Sequence, residues 1–271
     1  MMLDNYRITL SAVFLASCLG TSVWAGSPNE DLWPQWRGPQ RDGRLTSRTW
    51  PNDLTEAHLS ASWTVPQGPS YSGPIVAADR VFVTETKDKK YEVVRALDRA
   101  TGEQLWETQW KGAMKVPFFA SSNGSWIRAT PALDGERLYV AGMQDRLVCL
   151  DTTSGKILWQ VDFVATTGSS APDFGFVSSP LVLGDHVFVQ AGASFAKLNK
   201  LTGEIIWQTL KDGGGMYGSA FSSPISAKIA GTPQLVVQTR STLAGIDPET
   251  GGVLWSEEIP AFRGMNILTP T

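Results

Sequence analysis

Histidine and cysteine are nearly missing from this 271-residue chain, with two of each. His58, His186, Cys18 and Cys149 are too few for a histidine-cluster metal centre, a cysteine-rich zinc site or a disulfide framework. Neither histidine lies in a motif that suggests a Ser-His-Asp triad. Charge is sparse as well. Only 18% of residues are charged, against roughly 25% in globular chains, and the net charge is −3. That balance leaves no basic footprint, so no nucleic-acid partner is expected. Beyond residue 26 no apolar run reaches the ~20 residues a membrane-spanning helix needs, so the mature chain is expected to have no transmembrane helix. Helical periodicity is absent too. What the chain does have is apolar content, 42% of residues, enough for a folded core rather than disorder. It also has 11 tryptophans against 5 tyrosines, and their placement carries the argument.

The first 25 residues read as an address. Ile8 to Leu19 is a short apolar stretch behind Arg7, and Val23-Trp24-Ala25 offers the small or branched residues that signal peptidase prefers. Cleavage after Ala25 is the reading adopted. It makes residues 1–25 a signal peptide, places the protein in the periplasm or cell envelope, and leaves Cys149 without a disulfide partner. A second reading stays open: Leu15-Ala16-Ser17-Cys18 has the pattern of a bacterial lipobox, which would put a lipid anchor on Cys18.

A repeat fills the rest. Leu97-Asp98-Arg99-Ala100-Thr101-Gly102-Glu103-Gln104-Leu105-Trp106 returns as Leu150-Asp151 through Ser154-Gly155 to Leu158-Trp159. It returns again as Leu198-Asn199 through Thr202-Gly203 to Ile206-Trp207, and as Ile246-Asp247 through Thr250-Gly251 to Leu254-Trp255. The tryptophans recur every 48 to 53 residues, a period that means stacked supersecondary units. A second signature alternates with the first, a small or hydroxyl residue followed by proline: Gly73-Pro74, Thr130-Pro131, Ser179-Pro180, Ser223-Pro224 and Thr269-Pro270.

Each unit reads as four short strands. In the second, these are Ala129 to Leu133, Arg137 to Ala141, Arg146 to Leu150 and Lys156 to Asp162, with Asp134-Gly135 as a two-residue hairpin turn. Between the third and fourth strands, the Asp and Thr/Ser side chains can bond nearby amides and the Gly takes a positive φ at little cost. Proline is tolerated at the head of a strand that need not donate there. Four-stranded antiparallel units at this period predict an all-β fold, a β-propeller. The recurrent Trp106, Trp159, Trp207 and Trp255, with Gly102, Gly155, Gly203 and Gly251, are then structural residues that pack blade on blade.

These elements resemble the tryptophan-docking repeat of the PQQ-like (quinoprotein alcohol dehydrogenase-like) β-propeller family. That family includes the quinoprotein dehydrogenases and the lipoprotein of the bacterial outer-membrane barrel assembly machine. The resemblance covers residues 63–271 and implies a partial propeller there, its first blade led by Trp63, an outer-strand tryptophan whose own blade a later stretch would complete. Trp33-Pro34-Gln35-Trp36-Arg37-Gly38-Pro39, with Asp42-Gly43, resembles a segment of exported members. It makes residues 26–62 an N-terminal extension packed on the propeller through Trp33 and Trp36. The family implies seven or eight blades, whereas about four are present before Thr269-Pro270 opens another strand, so the chain is expected to be a fragment of a longer ring.

For function, the resemblance implies three readings. The one adopted is a non-catalytic binding or scaffold module of the envelope, whose loops receive an envelope protein or an extended peptide. The first alternative is a quinoprotein oxidoreductase. The second is a polysaccharide-binding propeller, with loop aromatics Phe118, Phe119, Trp126 and Tyr217 as its contacts. No cofactor is expected; pyrroloquinoline quinone (PQQ) and calcium belong to the enzyme reading alone, and the adjacent cysteine pair of many dehydrogenases is absent. Cys149, within Leu147-Val148-Cys149-Leu150, reads as a small core residue. Loops joining outer to inner strands would line one mouth of the ring, and in them Arg128, Asp173, Arg263 and Asn266 are the candidate cofactor-binding residues. Asp212-Gly213-Gly214-Gly215 lacks the lysine and helix of a phosphate cradle and reads as a loop. Lys87-Asp88-Lys89-Lys90 reads as a hairpin tip. Asn123-Gly124-Ser125 fits a glycosylation sequon.

Overall fold

Runs of β-branched and aromatic residues broken by two-residue turns leave this chain little choice but short antiparallel strands. The computed structural model describes residues 32–44, 51–216, 218 and 220–271. The signal peptide, Cys18, Tyr217 and the stretches 26–31 and 45–50 lie outside the described residues. Among the described residues sixteen strands form four sheets, each a meander in chain order. Blade 1 holds Ile75–Val76 (β1), Arg80–Lys87 (β2), Tyr91–Asp98 (β3) and Gln104–Lys111 (β4). Blade 2 holds Ala132–Asp134 (β5), Arg137–Gly142 (β6), Arg146–Asp151 (β7) and Ile157–Asp162 (β8). Blade 3 holds Leu181–Leu183 (β9), His186–Ala191 (β10), Ser194–Asn199 (β11) and Ile205–Thr209 (β12). Blade 4 holds Ile225–Ile229 (β13), Thr232–Gln238 (β14), Thr242–Ile246 (β15) and Val253–Glu258 (β16). The fold is therefore all-β, built of four-stranded propeller blades.

Two details differ from the sequence reading. The first strand of blade 2 starts at Ala132 rather than Ala129, because residues 129–131 belong to the link with the next blade. Its hairpin turn is Gly135-Glu136, with Asp134 paired to Arg137 and Gly135 at φ +56°. Asp134 thus closes the ladder rather than turning it. A five-residue helix, Phe163–Thr167 (α1), also interrupts the strands, started by Asp162, whose carboxylate accepts from Ala165 N at 3.0 Å.

The middle strands β2–β3, β6–β7 and β10–β11 are buried on both faces, so their side-chain alternation separates one neighbouring blade from the other rather than core from water. In β6, Leu138 and Val140 pack with Phe82 and Val94 of blade 1. Tyr139 and Ala141 pack with Val187 and Val189 of blade 3. Cys149 sits fully buried in that second cluster, and burial pushes its thiol up to about 12. The same register break recurs in every blade where the third strand meets the fourth, between Ala96 and Leu97, Cys149 and Leu150, Lys197 and Leu198, and Gly245 and Ile246. Such bulges sharpen twist, and here they turn each outer strand toward the next blade.

At the turn end, each indole docks on the turn of the following blade. Trp63, Trp106, Trp159 and Trp207 donate Nε1–H to the carbonyls of Arg99, Thr152, Lys200 and Glu249 at 2.9, 2.9, 3.1 and 3.1 Å. Gly102, Gly155, Gly203 and Gly251 take φ of +71° to +77° beneath those rings. A Cβ there would stand 2.5 to 2.8 Å from an indole atom, so glycine is required for both backbone and contact. Trp255 is the exception: its Nε1–H goes to Gln234 Oε1 of its own blade at 2.6 Å.

At the opposite end, the residues before the prolines form a girdle. Thr130 Oγ1 accepts from Gly73 N at 3.1 Å, Ser179 Oγ from Thr130 N at 3.0 Å, Ser223 Oγ from Ser179 N at 2.9 Å and Thr269 Oγ1 from Ser223 N at 3.4 Å. Each hydroxyl thus satisfies an amide of the preceding blade that the neighbouring proline cannot help to pair. Ser179→Ala leaves the buried Thr130 amide without an acceptor and is expected to cost about 1–3 kcal/mol in urea unfolding. Ser179→Thr, the residue used at 130 and 269, should cost far less.

Candidate functional site

The connections from outer to inner strands, residues 112–131, 163–180, 210–224 and 259–271, meet the tips of the inner hairpins at one mouth of the blades. Their aromatics form a ladder. Phe118 meets Phe119 at 5.7 Å between ring centroids, Phe119 meets Phe174 at 6.3 Å, and Phe174 meets Phe221 at 5.6 Å. The Arg240 guanidinium, from the tip between β14 and β15, lies 4.8 Å from the Phe221 ring and 6.0 Å from Phe174. On the blade 1 side, Tyr71 packs on Trp126 at 5.3 Å, with Arg128 at 5.1 Å over the Tyr71 ring. Phe118 is 89% and Phe262 78% exposed at this mouth. A shallow groove of about 470 Å³ opens between Met114, Lys115, Phe118, Phe119, Asp173 and Met216.

The four polar candidates fall in three places. Arg263 and Asn266 come together around Arg240: Arg240 Nη2 donates to Arg263 O at 2.7 Å, and Asn266 Nδ2 donates to Arg240 O at 2.9 Å and Ile259 O at 2.8 Å. Asn266 braces the loop, while the Arg263 guanidinium reaches outward over Phe262 at 5.1 Å. Arg128 donates to Gly124 O at 3.1 Å, and half-burial lowers its affinity for the proton. Asp173 lines the groove, its amide bonded to Gly215 O at 3.3 Å. Trp126 is engaged with Tyr71 and half-buried. The sequence reading missed Tyr71, Phe221 and Arg240; their only signal was that an aromatic or arginine stands near each turn or proline of the mouth.

Two buried carboxylates also went unread. Glu92 accepts from Trp110 Nε1 at 2.8 Å and, across the blade boundary, from Met143 N at 2.5 Å. Asp145, six residues before Asp151 as Glu92 is before Asp98, accepts from Gly192 N of blade 3 at 2.8 Å. Both are almost fully buried, and desolvation raises both pKa values, that of Asp145 to about 7. They staple blade 1 to blade 2 and blade 2 to blade 3.

A quinone–calcium centre needs carboxylate and amide ligands converging on one point. Among the described residues there is no group of three or more His, Cys, Asp or Glu side chains able to hold a metal. Asp173 is the one acid on the groove, and the Asn266 amide is spent on backbone carbonyls. The residues present do not fit that group. Nor is any helix among the described residues long and apolar enough to cross a membrane.

The family model described as outer membrane protein assembly factor BamB matches residues 40–123 and 89–269. An outer membrane protein assembly factor BamB of Yersinia pestis is 24% identical over 208 residues, 77% of this chain and 45% of that protein. An uncharacterized protein of Rickettsia conorii is 27% identical over 157 residues, 58% of this chain and 33% of its own length. The chain thus spans less than half of these curated relatives. Among solved structures, a quinohemoprotein alcohol dehydrogenase from Pseudomonas putida HK5 superposes with a TM-score of 0.55 at 16% identity, over 70% of this chain and 34% of that one. At that identity the likeness concerns the fold alone.

Proposed function

The chain belongs to the outer membrane protein assembly factor BamB family of PQQ-like repeats, and from that premise we propose that it is a non-catalytic binding module of the cell envelope that serves outer membrane protein assembly. Its mouth takes an extended segment of an envelope protein. The observation that carries this reading is the ladder from Phe118 to Arg240, which crosses three blade connections and begins in the exposed rings of Phe118 and Phe119. Rigid aromatics and arginine are the residues that dominate protein–protein contacts, because they bury much area with few rotors. The connections and tips of this mouth carry the cations Lys115, Arg128, Lys211, Arg240 and Arg263 together with the acids Asp173 and Asp212. Catalysis would ask for paired acid–base or ligand groups, and the described groups at the mouth do not converge in that way.

Site-specific photo-crosslinking in cells tests the reading. A crosslinker at Phe118 or Phe262 is expected to capture envelope assembly proteins, whereas one at Leu201, 56% exposed at the turn end, captures none of them. Phe118→Ser should abolish capture from position 262 and change stability by less than about 0.5 kcal/mol. Equal capture from Leu201, retention by a glycan resin in place of proteins, or stoichiometric quinone uptake would each overturn it.

A further inference from the structure

Residues 32–44 run along the inner edges of the blades from the turn end to the mouth. Trp33 and Val76 of β1 exchange both backbone hydrogen bonds, at 2.9 and 3.0 Å, as a one-residue antiparallel bridge. Pro34 O accepts from Leu133 N of β5 at 2.7 Å. Trp36 donates Nε1–H to Thr269 Oγ1 at 3.1 Å, on the last hydroxyl of the girdle. Arg41 donates to Pro180 O at 2.9 Å and Ser179 O at 3.2 Å, just ahead of β9. One short segment thereby touches the first strands of blades 1 and 2, the residues just ahead of β9 in blade 3, and Thr269 beyond blade 4.

We propose that residues 32–44 are a bound peptide of this propeller, and that the inner edges of its blades form a peptide-receptor site for the pattern Trp-Pro-Gln-Trp-Arg-Gly-Pro followed by Arg41. Three observations support it. The contacts are those by which domains capture extended peptides: a strand-edge bridge, an indole bond from Trp36 and a guanidinium on main-chain carbonyls. The segment contributes no residue to any of the hydrophobic clusters that join the blades, and Trp33 and Trp36 are only half-buried. The blades are joined instead by their own indoles, girdle hydroxyls and carboxylate staples. The segment also carries its own fold. Gly38 N bonds to Gln35 O at 3.0 Å, Arg41 N to Gly38 O at 3.1 Å and Gly43 N to Arg37 O at 2.8 Å. Gly38, at φ +81°, lies so close under the Trp33 ring that a Cβ would stand 2.8 Å from it.

Arg41 supplies the specificity. It is 3% exposed, and among the described residues no carboxylate meets it: Pro180 O, Ser179 O and Gln35 Oε1 accept from its guanidinium. Burial lowers its pKa to about 9.

The experiment uses the full chain with a protease site placed between Arg44 and Pro51. After cleavage the N-terminal piece is expected to co-elute with residues 51–271 and to be displaced by excess synthetic peptide of residues 32–44. The same peptide with Gly38→Val should fail to displace it. Arg41→Ala in the cleavable chain should weaken retention about 10- to 100-fold without altering the circular dichroism of the blades. Immediate loss of the piece, melting of the blades upon cleavage, or co-elution that no excess of peptide reverses would each overturn the proposal.

Discussion

Trp159→Ala is expected to destabilise the chain by about 3–5 kcal/mol, the range for deleting a large packed aromatic. The indole covers Gly203, donates to Lys200 O at 3.1 Å and packs 5.9 Å from the buried Tyr139 ring, whose hydroxyl donates to that same carbonyl. Removing it empties the seam between blades 2 and 3 and leaves one of two donors on that carbonyl. Trp159→Phe keeps much of the apolar area but loses the donor, and should cost roughly half as much. Gly203→Val should match the alanine variant from the other side, because it puts a branched residue at φ +77° and a Cβ 2.7 Å from the ring. Trp255→Ala should cost clearly less, since its indole bonds within its own blade. Chemical denaturation of the four variants is the measurement. Equal losses at 159 and 255 would mean that the tryptophans act within blades rather than between them.

The second large effect is on pH dependence. Asp145 holds its proton up to about pH 7 in the folded chain, against 3.8 as its ordinary value, because burial outweighs its bond from Gly192. Between about pH 4 and 7 the folded chain therefore binds more protons than the unfolded one, and stability falls as pH rises through that window, by up to about 4 kcal/mol. Glu92, raised for the same reason, acts in the same direction. The turn aspartates act oppositely. Asp98, Asp151 and Asp247 accept bonds from their own turns, which lowers their pKa values, so the stability they contribute is present above the ordinary carboxylate value and lost on acidification. Asp145→Asn keeps an oxygen for Gly192 N–H, tolerates the φ of +57° at this position and cannot ionise. It is expected to raise stability by about 2–4 kcal/mol at pH 8 and to leave it nearly unchanged at pH 4. Thermal melts of parent and variant across that range decide it. A variant less stable than the parent at pH 8 would mean that the ionised staple outweighs its burial.

Both effects start from features of unequal legibility. The Asp-x-x-Thr-Gly turns and the Leu-Trp pairs announce themselves because each depends on side chains a few residues apart, and the four copies repeat that local chemistry in register. Turn bonding of the third copy works equally with Asn199 in place of aspartate, its Oδ1 accepting from Leu201 N and Thr202 N. Glu92 and Asp145 gave no such signal. An acid in a β-rich run reads as a solvated residue unless a second sheet is known to cover it.

What the sequence by itself determined is the repeat, the strand order within each blade and the positive-φ glycines of the turns. Each follows from backbone preferences and hydrogen bonds that close within about 15 residues. What only the tertiary structure decided is everything that depends on one blade facing the next. The hydroxyls ahead of the prolines became a girdle spanning 44 to 57 residues per bond, two acids became inter-blade staples, and Phe118, Phe119, Phe174, Phe221 and Arg240 became one ladder. Arg41 shows the contrast most sharply: nothing in the sequence marks it, and in the structure it is a buried cation 138 residues from the carbonyl of Ser179 that holds it. Contacts of that length are set by the angle between sheets, and the angle is a property of packed faces, which no local pattern encodes.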